Sequence, residues 1–231
     1  MTKTNPISAV IKDRIKQANK SAFANQNIAE FIQAGELDKL TTEVEEKVQA
    51  LLDSLIIDTE NDHNTKDTAK RVAKMYMQEV FHGRYEEEPP VVDFPNAANL
   101  NEIYTVGPIR VRSCCSHHMV PIVGEAWVGV LPSNKVIGLS KFSRIVHWYM
   151  SRPHIQEEAA VALADHLENL LQPKGLALVI KAKHMCMTWR GVQEHNTSMV
   201  NAVMRGAFLA DKSKKREFYA IIQAQGYSSH A

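Results

Sequence analysis

Cysteine is scarce here. The 231 residues hold three, Cys114, Cys115 and Cys186. A low, odd count excludes a disulfide framework as the source of stability. An excess of charge of one sign is also lacking. Lys and Arg number 27 against 26 Asp and Glu, a net charge of +1, so there is no global pull toward nucleic acid or an anionic membrane surface. No run approaches the roughly 18 apolar residues of a membrane span. Residues 1–20 carry charges throughout and no apolar segment, so no secretory signal is expected. There is no internal repeat and no low-complexity tract. A cytoplasmic protein without nucleic-acid or membrane partners is the expectation. The 45% hydrophobic content suffices for a core, and the length suits one large domain with an extension, or two small ones.

Residues 1–35 read as an N-terminal extension, polar and mixed. Ile7, Val10, Ile11 and Ile15 have the spacing of a short amphipathic helix. From residue 36 the pattern sharpens into the main domain, 36–231. Leu40, Val44, Val48, Leu51, Leu52 and Leu55 form one inward stripe. A second helix is expected over 68–82, with Val72, Met75, Tyr76 and Val80 inward and Gly83 as its C-cap. Arg71 and Lys74 share a face of it. After an acidic, proline-ended linker at 86–90 the period changes, and 103–112 and 122–131 read as strands. Ser140 is placed to cap a helix whose first turn carries Lys141 and Arg144. Basic groups at a helix start oppose the dipole, so this turn suits a bound phosphate. Helices over 156–171 and 211–225, and strands over 175–187 and 198–208, complete the order. Two strand pairs separated by helices predict an α+β fold, an antiparallel sheet with helices on one face.

Two Cys/His pairs carry the chemistry. Cys115 and His118 form a Cys-x-x-His pair; about seventy residues on come His184 and Cys186. Thiolate with imidazole favours zinc. Three ligands, Cys115, His118 and Cys186, would leave a coordination position open, the catalytic pattern, with His117 and His184 beside it for proton transfer. If His184 also ligates, the site is a closed structural zinc. On a strand His184 and Cys186 would face the same way.

In order and spacing these residues resemble the GTP cyclohydrolase I family from about residue 37 onward. The resemblance rests on Cys115-Ser116-His117-His118-x-Val120-Pro121 and on Gly138-Leu139-Ser140-Lys141-x-x-Arg144. Arg152-Pro153-x-x-Gln156-Glu157, His184-x-Cys186-x-x-x-Arg190-Gly191 and Thr68-x-x-Arg71-Val72-Ala73-Lys74 extend it. It implies the tunnelling fold, an antiparallel sheet backed by helices with subunit sheets joined into a barrel. It also implies a homodecamer of two stacked pentamers with pockets between subunits.

The implied reaction converts GTP to 7,8-dihydroneopterin triphosphate with release of formate, an early step of pterin and folate-type synthesis. Cys115, His118 and Cys186 would hold Zn2+, whose bound water attacks C8. His184 would protonate the purine nitrogen, and His117 would be the second acid/base group. Glu157 with Gln156 would read guanine. Ser140, Lys141, Arg144 and Arg190, with Arg71 and Lys74 from a neighbouring subunit, would cradle the triphosphate.

Three positions depart from the family pattern: Ser116 for glutamate, Ala69 for proline, and Met199-Val200-Asn201-Ala202 for a threonine-rich strand. Two other readings stand beside the first: a non-catalytic, zinc-stabilised nucleotide-binding oligomer, and a tunnelling-fold enzyme acting on a variant purine. The downstream pathway and any regulatory partner are left open.

Overall fold

A computed structural model describes residues 5–228. The chain divides into two compact units, one up to Glu87 and one from Glu88.

The N-terminal unit is helical. α1 (Ile7–Gln17), α2 (Glu36–Ser54), α3 (Thr68–Lys74) and the short α4 (His82–Tyr85) are its elements. Ile11 and Ile15 of α1 pack with Leu40 of α2, Ile28 and Met77. Arg14 grips Glu36 with both guanidinium nitrogens, and the backbone N–H of Gln33 donates to the same carboxylate at 2.8 Å. Several expectations fail here. Leu51 and Leu55 are 57% and 60% exposed, because the apolar stripe of α2 is wider than the surface packed against it. The second helix is also not continuous. A π-helical turn, Met75–Val80, follows α3, closed by Phe81 N–H donating to Tyr76 O. The buried face runs through Ala69, Ala73, Met77 and Phe81, while Met75 points outward, and Gly83 lies inside α4 rather than capping a helix.

The second unit is built on a five-stranded sheet of order β5-β2-β3-β6-β7. Its strands are β2 (Tyr104–Cys115), β3 (Pro121–Leu131), β5 (Pro153–His154), β6 (Gly175–His184) and β7 (Met199–Gly206). Pairing is antiparallel except for β2 with β5, which run parallel. A separate ribbon pairs β1 (Asp93–Pro95) with β4 (Lys135–Ile137). α5 (Leu139–Met150) and α6 (Gln156–Leu171) cover one sheet face, where Val111, Val128, Leu178 and Ile180 meet Phe142, Ile145, Leu163 and Leu167.

The α+β class holds, but the helices are not confined to one face. Trp127, Ala177 and Val179 alternate to the opposite side, and there α9 (Lys212–Ala224) packs Phe218 and Ile222 against them, with Phe208 of the short α8 (Ala207–Ala210). Gly129 permits this contact, since a Cβ there would lie 2.5 Å from the Phe218 ring. Asp211 caps α9 by accepting from Ser213 N–H at 2.7 Å. Ser140 does not cap α5. The helix begins two residues earlier, at Leu139, with Gly138 in the cap position and no side-chain bond. Among the described residues no helix is long and apolar enough to cross a membrane.

Candidate functional site

β2 ends at Cys115, and a tight turn folds the next residues back. Met119 N–H donates to Cys115 O and Cys115 N–H to Val120 O, each at 2.8 Å. Met119 takes the left-handed φ of 56° that closes the turn. His118 is thereby returned to Cys115. Beyond β3 in the sheet, β6 stops at His184, and α7 (Met185–Thr188) starts a helical turn. Cys186 therefore sits on a helix and not on a strand beside His184, as the sequence pattern suggested. That turn separates the two side chains. Cys186 joins Cys115 and His118, the three ligand atoms lying within 4.8 Å of one another, while His184 goes elsewhere.

This trio could hold a metal ion. Its donor set, two sulfurs and an imidazole nitrogen, suits a borderline-soft cation such as zinc. Both thiols are free. Burial and the neighbouring Cys115 push the Cys186 thiol above its ordinary value. Cys114 is outside the group, buried, and raised to about 11 by burial. His184 is outside it as well. Its Nε2 lies 2.7 Å from Gln156 Oε1, so the closed four-ligand arrangement is not the one formed. Burial lowers the His184 pKa, an effect opposed by the Glu157 carboxylate.

A cavity of about 280 Å³ opens beside the trio, lined in part by Cys115, His117, Glu157, His184 and Cys186. Gln156 and Glu157 open α6. Both line the cavity; Gln156 is 1% exposed, and Glu157, turned about 100° from it on the helix, is exposed. The Gln156 amide is engaged with the protein at both ends. Nε2 lies 3.3 Å from Ile180 O and 3.2 Å from Met199 O, and Oε1 meets His184.

The expected phosphate-binding residues do not line the cavity. Ser140, Lys141 and Arg144 are on α5, with Lys141 Nζ donating to Pro90 O at 2.9 Å. Arg190 follows α7, and its guanidinium donates to His118 Nε2 at 3.0 Å. Arg71 and Lys74 are exposed on α3 in the other unit, Arg71 3.5 Å from Asp67.

The sequence of this chain matches the family model described as GTP cyclohydrolase I over residues 44–223. The chain belongs to the GTP cyclohydrolase I family. Among curated relatives, the GTP cyclohydrolase 1 of Streptococcus mutans is 40% identical over 180 residues, spanning 78% of this chain and 93% of its own. That of Lysinibacillus sphaericus is 38% identical over 181 residues, covering 78% and 95%. That of Bartonella quintana is 37% identical over 183 residues, covering 77% and 88%. Among solved structures, the archaeosine synthase QueF-Like in its apo form aligns at a TM-score of 0.36 and 18% identity over 52% of this chain and 97% of its own, too low to assign a fold.

Within this family member, His154 is a site residue that the sequence analysis did not single out. It lines the cavity and pairs in register with Cys115 across the parallel strands. Its Nε2 lies 2.8 Å from Tyr149 O, and burial pushes its pKa down to about 4. Its position inside the Arg152-Pro153-x-x-Gln156-Glu157 motif was the available signal. Met187 and Thr197 also line the cavity and carried no pattern by which to find them; Met199, which lines it too, opens the stretch that departs from the family pattern.

Proposed function

We propose that this protein is a zinc-dependent GTP cyclohydrolase I, converting GTP to 7,8-dihydroneopterin triphosphate and formate at the head of pterin and folate-type synthesis. The observation that carries the reading is one cavity lined by Cys115, His117, Glu157, His184 and Cys186, in a chain of this family. Cys115, His118 and Cys186 would hold the zinc. When bound, the ion supplies Lewis acidity that makes water nucleophilic at neutral pH.

The chain's own groups do the rest. Glu157 accepts from guanine N1–H and the 2-amino group, a donor pair that adenine lacks. His184, across the same cavity, delivers the proton that lets the imidazole ring of the purine open, and C8 leaves as formate. His117, exposed in the turn beyond β2, handles protons nearer the ribose as the pterin ring closes. At about 280 Å³, just under the roughly 300–1,000 Å³ of ligand sites, the cavity suits the base end of the nucleotide. The triphosphate then lies outside it, held by Ser140, Lys141, Arg144 and Arg190 together with Arg71 and Lys74 of a neighbouring subunit. The proposed assembly is a cytoplasmic homodecamer of two pentamers whose sheets join into a barrel; the open edge of β7 supports such pairing.

The test is turnover of GTP by the purified, zinc-loaded protein, reading formate and, after oxidation, neopterin fluorescence. Both should appear together, and Cys186→Ser should lose both. Neither product, with metal bound and the oligomer intact, would sink the cyclohydrolase reading and favour a nucleotide-binding oligomer.

A further inference from the structure

Gln156 is 1% exposed, yet it meets three polar partners from two strands. The backbone oxygens of Ile180 on β6 and Met199 on β7 lie 3.3 and 3.2 Å from its Nε2. Both are acceptors only, so the amide must turn its NH2 toward them and its oxygen toward His184. Reversing it would set three oxygens against each other in a buried site. The orientation is therefore dictated by the backbone. An amide oxygen can only accept, so the ring nitrogen 2.7 Å from it, His184 Nε2, must carry hydrogen. The other ring nitrogen, Nδ1, has no protein partner among the described residues, and His184 lines the cavity.

We propose that Gln156 is a positioning residue that locks His184 in the Nε2–H tautomer and so makes Nδ1 the nitrogen presented to substrate. The proposal rests on the cyclohydrolase reading for its substrate and not for its geometry. In the proton-donating state His184 carries hydrogen on both nitrogens. The Nδ1–H proton passes to the purine nitrogen. The electrons of that N–H bond return to Nδ1 as a lone pair, and the ring is left neutral with Nε2–H still bonded to Gln156. The same lone pair then accepts the next proton. Without Gln156 the neutral ring is free to hold its hydrogen on Nδ1, which removes the acceptor from the cavity, and free to turn about its side-chain bonds. Gln156 has no donor left for guanine, because both amide hydrogens are committed to backbone oxygens. Reading the base falls to Glu157, its neighbour on the helix.

The experiment is neutron diffraction from deuterium-exchanged crystals of the wild-type protein, held above the ordinary titration range of imidazole. Deuterium on His184 Nε2 with none on Nδ1 is the expected result, and deuterium on Nδ1 would overturn the proposal without any variant. Steady-state kinetics of Gln156→Ala complete the test: kcat should fall about 10²-fold, the scale of a general acid's contribution, with KM for GTP within about threefold. A raised KM with kcat intact would instead make Gln156 a substrate-reading residue. If the wild-type protein releases no formate, the cyclohydrolase reading fails, while the deuterium position still decides the clamp.

Discussion

His118 can serve one partner at a time. Its Nε2 accepts from Arg190 at 3.0 Å. If a metal binds Nε2, that lone pair is used. If a metal binds Nδ1, the neutral ring carries its hydrogen on Nε2 and cannot accept there. Either way metal and Arg190 compete. Arg190→Ala should therefore bind zinc more tightly by roughly threefold to tenfold, about 1 kcal/mol for one hydrogen bond, in competition with a chromogenic chelator. Weaker binding would mean that Arg190 supports the metal instead. Glu157 carries a second prediction at this scale. If it accepts two bonds from guanine, Glu157→Ala should lower kcat/KM for GTP by roughly 10- to 100-fold, as expected for hydrogen bonds to a charged group. An unchanged kcat/KM would remove Glu157 from base recognition. His118 was legible as a ligand from its spacing to Cys115, whereas Gln156, Glu157 and Arg190 were legible only through the family resemblance. Their division of labour was not, because the hydrogen bonds that engage the Gln156 amide form only once α6 is set against β6 and β7.

Among the elements, α1 is held to the start of α2 by the Arg14–Glu36 pair. Arg14, then the Gln33 N–H, hold the Glu36 carboxyl down at about 2, against 4.5 for a free glutamate. Between those values the unfolded chain binds more protons than the folded one. The pair's stabilisation is complete above pH 4.5 and is lost as pH falls toward 2. Thermal melts on either side of that window should separate for the wild type and separate less for Glu36→Gln. Equal separation in both would show that the pair does not couple to folding. On the sheet, Gly129→Ala should cost about 1–3 kcal/mol in denaturant unfolding, since the new methyl overpacks Phe218 of α9. The long strands and helices were readable from their periods, though β2 runs on to Cys115 where the pattern suggested an end at 112. β1, β4 and β5, two or three residues each, are too short to show a period. The placement of α9 had a usable signal. Residues 176–180 are apolar without alternation, the mark of a strand covered on both faces.

At the scale of the whole molecule, the basic residues expected to meet the triphosphate are not among those lining the cavity. Light scattering should give a mass about ten times the 26.0 kDa chain, and a fully active monomer would refute the shared-site arrangement. A sharper check mixes two inactive variants, Arg71→Ala and Cys186→Ser. If Arg71 acts in a neighbour's pocket, random co-assembly restores whole sites at about a quarter of positions, and formate release returns in proportion. No recovery would place Arg71 outside the site or within its own subunit's.

What the sequence determined by itself was chemistry: which side chains can ligate, titrate or pair with phosphate, since these depend on residue type and short spacing. It determined the α+β class too, because hydrophobic period is a local property. The tertiary structure decided which of those groups meet. A helical turn after His184 sends Cys186 to the metal-binding trio and leaves His184 to Gln156. That separation depends on the backbone path of two neighbouring strands and one helix end, which no single stretch of sequence encodes.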